Sequence, residues 1–304
     1  MKLNKLGTAI AALTVATMFD LLGVAKPADA ATMKLIGLND DNGLVFFNRK
    51  LSKVSKTVEV TGLNGENLLG IDFRPANGLL YGISDKNGIY TIDTTTGAAT
   101  FVNTLSTAFT GGFESGFDFN PVPDRLRLNG ANDQNLRTNV DTGAVTTDGT
   151  LAYAAGDANA GTNPNITAAA YTNSFPGGAS VSRTTQLFGI DSALDVLVLQ
   201  NPPNNGTLQT IGSLGIDFGS TGGFDIFSPS SGNNTAFAAS GSTLYNINLS
   251  TGAATTLGTV GNGNVNLVGL AATSVPEPGT VASLIGLGVF GLLGRSRRRG
   301  NLPN

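Results

Sequence analysis

An internal repeat is the feature of the sequence that most constrains its fold. Three segments, 70–75, 116–121 and 223–229, share the pattern Gly-x-Asp, an apolar residue and a nearby proline. After each segment come short β-favouring runs, the second of which leads into Thr-Gly at 96–97, 142–143 and 251–252. A repeat of about 40 to 65 residues that contains four short strands is typical of a β-propeller blade.

A fourth, diverged copy fits between the second and the third. It runs from Ile166 to Ile211, lacks the Gly-x-Asp pattern and carries an insertion near 175–184. Four units of four strands therefore account for most of the interior.

Unmatched strands at the two ends of the domain predict how the ring closes. The strands at 35–38, 44–47 and 57–60 lack a first strand, whereas Leu267–Ala272 is a first strand without a blade. Joining them gives a fifth blade and removes the open edge of the ring. We therefore predict an all-β domain over 31–274, a five-bladed propeller of four-stranded blades, with six blades or a β-sandwich as alternatives.

Three turn signals support this prediction. Asn42-Gly43, Asn77-Gly78 and Asn87-Gly88 each precede an apolar β-favouring run. Asn and Gly tolerate the positive φ angles that tight hairpins require.

The N-terminal segment, residues 1–30, has the pattern of a signal peptide. Lys2 and Lys5 precede an apolar run, and small residues follow at the positions that signal peptidase requires. We expect cleavage between Ala30 and Ala31, with Ala28 as the second small residue of the site. A retained membrane anchor is the alternative, which a charged residue inside the run, Asp20, opposes.

The C-terminal segment, residues 275–304, has three parts. The motif 275–279 is followed by the uncharged stretch 280–294 and by a basic tail, 295–304. The motif residues are Val275, Pro276, Glu277, Pro278 and Gly279, and the basic residues are Arg295, Arg297, Arg298 and Arg299. As a helix the uncharged stretch reaches only about 22 Å, less than a hydrocarbon core of about 30 Å. We therefore expect a transient transmembrane helix with the arginines on the cytoplasmic side.

This order of parts resembles the PEP-CTERM sorting signal of Gram-negative bacteria. The resemblance implies recognition by an exosortase, a membrane cysteine protease, and delivery to the cell surface or an exopolysaccharide matrix. A plain C-terminal anchor with a stiff Pro-Glu-Pro spacer is the alternative.

The interior resembles a family of exported bacterial proteins known as domain of unknown function 4394. The residues that carry the likeness are Pro-Asp-Arg-Leu-Arg-Leu-Asn at 123–129, Gln-Asn-Leu-Arg at 134–137 and Asp-Thr-Gly at 141–143. The resemblance implies a single domain and no assigned activity.

Composition excludes several classes of function. The chain contains no His and no Cys, so Ser-His-Asp and Cys-His triads, His-ligated metals and thiolate chemistry are excluded. Between the two ends acidic residues outnumber basic ones, which makes nucleic acid an unsuitable partner.

Three groups of residues remain as candidates for chemistry. Asp72, Asp118 and Asp225 recur on inner strands and can converge on the channel, although a repeated residue usually accepts hydrogen bonds between blades. The second group, a candidate anion or glycan-carboxylate site, consists of Arg125, Arg127 and Arg137. The third, a candidate calcium loop, consists of Asp157, Asn159 and Asn163, although ordinary Asx turns also explain that pattern.

These observations favour an exported, non-catalytic protein of the cell surface or extracellular matrix. Signal peptidase and an exosortase are its expected processing partners, and a polysaccharide or surface protein is its expected ligand. We expect no cofactor other than calcium. The alternative is a secreted hydrolase or lyase that acts on polysaccharide with Asp and Arg residues at the channel.

Overall fold

The short β-favouring runs form strands in the computed structural model, which describes residues 32–47 and 53–275. The predicted signal peptide with its cleavage site, and the sorting signal from residue 276 on, lie outside these residues. In the described ranges no helix has the length and apolar character needed to cross a membrane, and the apolar stretch 280–294 falls outside those ranges.

The strands form five sheets, which we number as blades 1 to 5 and which are antiparallel except at one edge strand of blade 4. Blade 1 contains β1 (Thr32–Asn39), β2 (Gly43–Phe47) and β3 (Val54–Glu59). Blade 2 contains β4 (Leu68–Phe73), β5 (Leu80–Ser84), β6 (Gly88–Ile92) and β7 (Ala99–Thr104). Blade 3 contains β8 (Ser115–Asn120), β9 (Arg125–Gly130), β10 (Asn135–Thr138) and β11 (Val145–Thr147).

Blade 4 is the diverged copy and has an additional edge strand. It contains β12 (Ala152–Tyr153), β13 (Ile166–Tyr171), β14 (Leu187–Asp191), β15 (Val196–Gln200) and β16 (Thr207–Ser213). A 3₁₀ turn, Pro203–Asn205, precedes β16, and β12 pairs with β16 in parallel. Blade 5 contains β17 (Gly222–Ser230), β18 (Asn233–Ser240), β19 (Thr243–Ile247) and β20 (Ala254–Thr259). The last strand, β21 (Leu267–Val275), completes blade 1.

The N- and C-terminal strands close the ring, which confirms the predicted five-bladed propeller. β21 pairs antiparallel with β1, from Thr32 opposite Val275 to Asn39 opposite Leu267. The inner strands β4, β8, β13, β17 and β21 contact one another in this order, and β21 then contacts β4. Neither six blades nor a β-sandwich agrees with this arrangement. β21 ends three residues later than the predicted Leu267–Ala272, at the first residue of the sorting motif.

The predicted hairpin signals form the tight turns expected of them. Asn42 has a φ of 61° and Asn87 a φ of 66°, and Gly78 lies in the same region at 71°. Each turn places the next strand beside the previous one in the blade.

Small residues near the axis let neighbouring blades approach closely. A Cβ at Gly70 would lie 2.8 Å from the Cβ of Phe117, and one at Gly116 would lie 2.5 Å from that of Ala169. Both distances are shorter than real Cβ contacts, so the first residue of Gly-x-Asp must be glycine at these positions.

The hydrophobic core lies between the faces of adjacent blades. Ile36 and Leu44 of blade 1 pack in one cluster with Leu68 and Ile71 of blade 2. A second cluster joins Ile83 of blade 2 to blade 3. Similar clusters join blades 4 and 5 and blades 5 and 1. Because burial of each Leu or Ile contributes about 1.5–3 kcal/mol, these interfaces stabilise the ring without a disulfide.

Candidate functional site

The aspartates of the repeat occupy equivalent positions on three inner strands. Asp72 lies in β4, Asp118 in β8 and Asp225 in β17, each two residues after the glycine of its repeat. The side chains are 5%, 1% and 3% exposed, so all three carboxyl groups are buried.

Two of the carboxyl groups connect their own strands to the inner strand of the next blade. Asp72 accepts hydrogen bonds from the backbone N–H of Phe73 at 2.6 Å and of Phe119, in β8, at 2.8 Å. Asp225 accepts from Ile226 and, across the blade interface, from Ala272.

Asp118 lies at the equivalent position towards blade 4. The backbone N–H of Tyr171 in β13 faces its carboxyl group and favours the ionised form, which opposes the rise in the pKa of Asp118. The hydrogen bonds of Asp72 and Asp225 across the blade interfaces are the predicted inter-blade bonds, and they give these two residues a structural role.

The same three carboxyl groups also converge on the axis. One oxygen from each lies within 4.8 Å of the corresponding oxygen of the other two. The Oδ1 atom of Asp118 is buried and has no hydrogen-bond partner among the described residues. Burial and the neighbouring carboxyl groups raise the pKa of Asp72 and of Asp118 well above the usual range. Burial also raises the pKa of Asp225 to about 7.

Arg74, which is close to Asp72 in sequence, does not neutralise the charge of the axial carboxyl groups. Arg74 pairs with Asp124 at 2.6 Å and with Asp141 at 2.7 Å. Within residues 32–47 and 53–275, no ion pair includes any of the three axial aspartates. Sequence reasoning missed the role of Arg74, because only one copy of the repeat has arginine at this position.

Space on the axis is small. A cavity of about 20 Å³ lies beside Asp72 and Asp225, and another of about 10 Å³ lies beside Gly70 and Gly223. The larger one can hold a single water-sized particle, but neither admits a sugar.

The segment between β13 and β14, which contains the predicted insertion at 175–184, lies against the larger axial cavity. Ser174 and Pro176 line the larger cavity, and the N–H of Gly177 donates to the carbonyl of Pro75 at 2.8 Å. Arg183 holds the insertion together by donating to the carbonyl oxygens of Phe175 and Gly177. The sequence predicted the position of this insertion in the chain but not which part of the ring it contacts.

The predicted arginine group does not form an open anion site. Arg127 is 1% exposed and pairs with Asp148 at 2.6 Å, and Arg137 binds the same carboxylate at 2.6 Å. Arg125 instead donates to the backbone carbonyls of Pro123 and Asp124. Two of the three arginines therefore meet at one aspartate, and the third lies apart from them.

The predicted calcium loop is partly brought together. Asp157 accepts from the backbone N–H of Thr210 at 2.6 Å, from its hydroxyl at 2.7 Å and from the N–H of Asn159 at 2.9 Å. Asn159 also donates to the hydroxyl of Thr210. Asn163 instead donates to the carbonyl of Pro164. The contacts of Asp157 and Asn159 with Thr210 fasten the loop to β16.

A larger cleft lies in blade 5, away from the axis. Its volume is about 420 Å³, and it is formed by the start of β18, the end of β19 and the turn that follows. The polar residues of its lining are Asn234, Thr235, Asn246, Asn248 and Ser250. Most of its boundary is open to solvent, so it is a shallow depression of the surface.

A family model described as a domain of unknown function (DUF4394) matches residues 43–271 of the 304-residue chain. The chain belongs to this family. A second model, the PEP-CTERM protein-sorting motif, matches residues 274–299. The DUF4394 protein is therefore exported, anchored at the membrane before cleavage and processed by an exosortase.

No protein of curated function matches the DUF4394 chain significantly. A structure from a nidogen/laminin complex is 11% identical with a TM-score of 0.47, over 81% of this chain and 100% of that one. A protein of unknown function from Bacteroides thetaiotaomicron is 15% identical with a TM-score of 0.46, over 75% and 58%. Myxococcus xanthus glutaminyl cyclase is 12% identical with a TM-score of 0.43, over 65% and 77%. At these values the likenesses carry no argument about function.

Proposed function

We propose that the DUF4394 protein is a non-catalytic component of the cell surface or extracellular matrix that binds a polysaccharide. Its ligand contacts one end of the ring, where the cleft of blade 5 opens. The observation that carries the proposal is the contrast between this cleft of about 420 Å³ and the axis, whose larger cavity measures about 20 Å³.

The chemistry of the cleft suits a neutral sugar. Its lining offers side-chain amides and hydroxyls, which donate and accept hydrogen bonds as sugar hydroxyls do. Thr235 and Ser250 are exposed there and can be reached by a ligand. The rigid propeller holds these loops in place, which is how many scaffolds present binding residues.

The axis offers less support for a hydrolase or lyase. Such an enzyme needs carboxylates and arginines that a polysaccharide can reach at the channel mouth. Asp72, Asp118 and Asp225 are buried, and Arg74 is engaged by two aspartates. This arrangement weighs against catalysis on the axis.

Binding of exopolysaccharide from a PEP-CTERM-bearing bacterium to the purified protein tests the proposal. We expect binding by the wild type and at least about tenfold weaker binding by Ser250→Trp, because an indole at this position fills the cleft. Isothermal titration or a glycan array measures the difference.

The matched control is Thr95→Trp, at the equivalent turn of blade 2. The N–H of Thr95 donates to Asp93 as that of Ser250 donates to Asn248, so the two substitutions perturb the same kind of turn. The control should bind as the wild type does. Equal loss in both variants, or no polysaccharide binding by the wild type, would contradict the proposal.

A further inference from the structure

Among the residues that the structure describes, no positively charged side chain pairs with the three axial carboxyl groups. Asp72, Asp118 and Asp225 present oxygens within 4.8 Å of one another in a buried position. Asp72 and Asp225 accept inter-blade hydrogen bonds from backbone N–H groups, which stabilise carboxylates but carry no net charge. Several buried carboxylates at this spacing require either protons or a cation.

An unpartnered atom points to what is missing. Asp118 is 1% exposed, and its Oδ1 atom has no hydrogen-bond partner in the described part of the chain. Buried polar atoms are almost always satisfied by protein, water or an ion. The cavity of about 20 Å³ is lined by Asp72 and Asp225 and provides room for one such particle beside these two carboxyl groups.

We propose that Asp72, Asp118 and Asp225 form a calcium site on the propeller axis. Calcium takes carboxylate and water oxygens at about 2.3–2.6 Å, so it can hold oxygens up to about 5 Å apart. The observed spacing of up to 4.8 Å fits this range without movement of the strands. A carboxylate that accepts two N–H bonds still has lone pairs for a metal.

The site joins blades 2, 3 and 5 at the centre of the ring. Its ligands come from β4, β8 and β17, which lie in three different blades. The other two blades have alanine where these three blades have aspartate. These alanines are Ala170, which precedes Tyr171 in blade 4, and Ala271, which precedes the backbone donor Ala272 in blade 1. Calcium on the axis therefore stabilises the closed ring by neutralising groups that otherwise repel one another. This role is independent of polysaccharide binding.

Calcium titration of the purified, EDTA-treated protein tests the site. We expect one Ca²⁺ per chain by elemental analysis, with the submillimolar to millimolar affinity typical of extracellular calcium modules. In 10 mM CaCl₂ the Tm should rise by about 3 to 10 °C relative to EDTA.

Two variants locate the ion. Asp118→Asn keeps the size and a hydrogen-bond acceptor but removes the charge, so it should lose both the bound calcium and the Tm shift. Asp157→Asn is the matched control, because it removes the carboxylate of the other candidate calcium loop. This control should keep both.

Three results overturn the proposal. The first is a wild type without bound calcium whose Tm is the same in EDTA and CaCl₂; protons then neutralise the axial carboxyl groups. The second is loss of calcium in Asp157→Asn but not in Asp118→Asn. If Asp118→Asn does not fold, anomalous scattering from wild-type crystals soaked in Mn²⁺ decides the location, and a peak away from the axis is the third.

Discussion

Arg127 carries a positive charge at a position that is only 1% exposed, between blades 3 and 4. Its guanidinium pairs with Asp148 at 2.6 Å and donates to Asn204 at 2.8 Å and to Tyr171 at 3.2 Å. Removing one partner of a buried ion pair lowers stability strongly, because the remaining charge is left unpaired in a medium of low polarity. The residue therefore contributes to the interface between the two blades and not to ligand binding.

Replacing Arg127 by alanine should lower the free energy of unfolding by about 3–5 kcal/mol, because Asp148 then keeps only Arg137 as a charged partner. Urea unfolding followed by circular dichroism measures the change. Arg125→Ala is the control from the same strand, since Arg125 donates only to carbonyls of its own turn, and it should change stability by less than about 1 kcal/mol. Equal effects of the two substitutions would refute this role.

The Asp148 carboxylate should also make the protein sensitive to acid. Although burial opposes it, Arg137 and Arg127 hold the pKa of Asp148 below its usual value. A pKa lower in the folded state than in the unfolded state gives stability that is present above about pH 4 and lost as the pH falls through the folded pKa. The loss of stability as the pH falls below about 4 should thus be steeper in wild type than in Asp148→Asn. Parallel curves of unfolding free energy against pH would show that Asp148 does not contribute.

At the scale of the strand, the close approach of the inner strands limits the size of the side chains at their contact positions. β8 lies so near β13 that a methyl group at Gly116 would come within 2.5 Å of the Ala169 side chain. An overlap of this size is relieved only if the two strands move apart.

Gly116→Ala should therefore destabilise the protein by about 1–3 kcal/mol through overpacking. The control is Gly156→Ala, at an exposed glycine that has nothing within 4 Å of an added Cβ, and it should be nearly neutral. Thermal unfolding of both variants checks the difference. A neutral Gly116→Ala would mean that β8 and β13 can move apart.

Strands that repeat were predictable, and elements that occur once were not. The Gly-x-Asp copies at 70–75, 116–121 and 223–229 identified three inner strands, because each copy must meet the same packing at the axis. β12 was missed, since two residues paired in parallel with β16 leave no periodic pattern. The contact of Gly177 with Pro75 was missed because it depends on ring geometry that no local sequence encodes.

The candidate site was predictable only in part for the same reason. The repeat predicts that the three aspartates lie on inner strands and can converge on the channel. Their spacing and burial depend on the number of blades and on the tilt of the strands. The pairing of Arg74 with Asp124 and Asp141 joins turns 50 and 67 residues apart in sequence and has no counterpart in the other copies.

At the scale of the whole molecule, closure of the ring by β21 defines the last residues that the fold needs. A chain cut after Val275 keeps all the strands of blade 1, whereas one cut after Asn266 loses its innermost strand and opens the ring.

The chain that ends at Val275 should melt at the same temperature as the longer protein, and the chain that ends at Asn266 should lose its cooperative transition. Scanning calorimetry distinguishes the two, and mass spectrometry of the native C-terminus shows where the exosortase cuts. A cooperative transition of the chain ending at Asn266 would show that blade 1 does not need β21.

The position of β21 also sets the order of events during secretion. The innermost strand of the first blade is the last strand in the chain, so a chain translocated only as far as β20 has an incomplete blade 1 and cannot close the ring. The sorting motif begins where that strand ends, at Val275. When the protease meets its recognition sequence, every strand is already outside, so release comes only after the whole domain is available to fold.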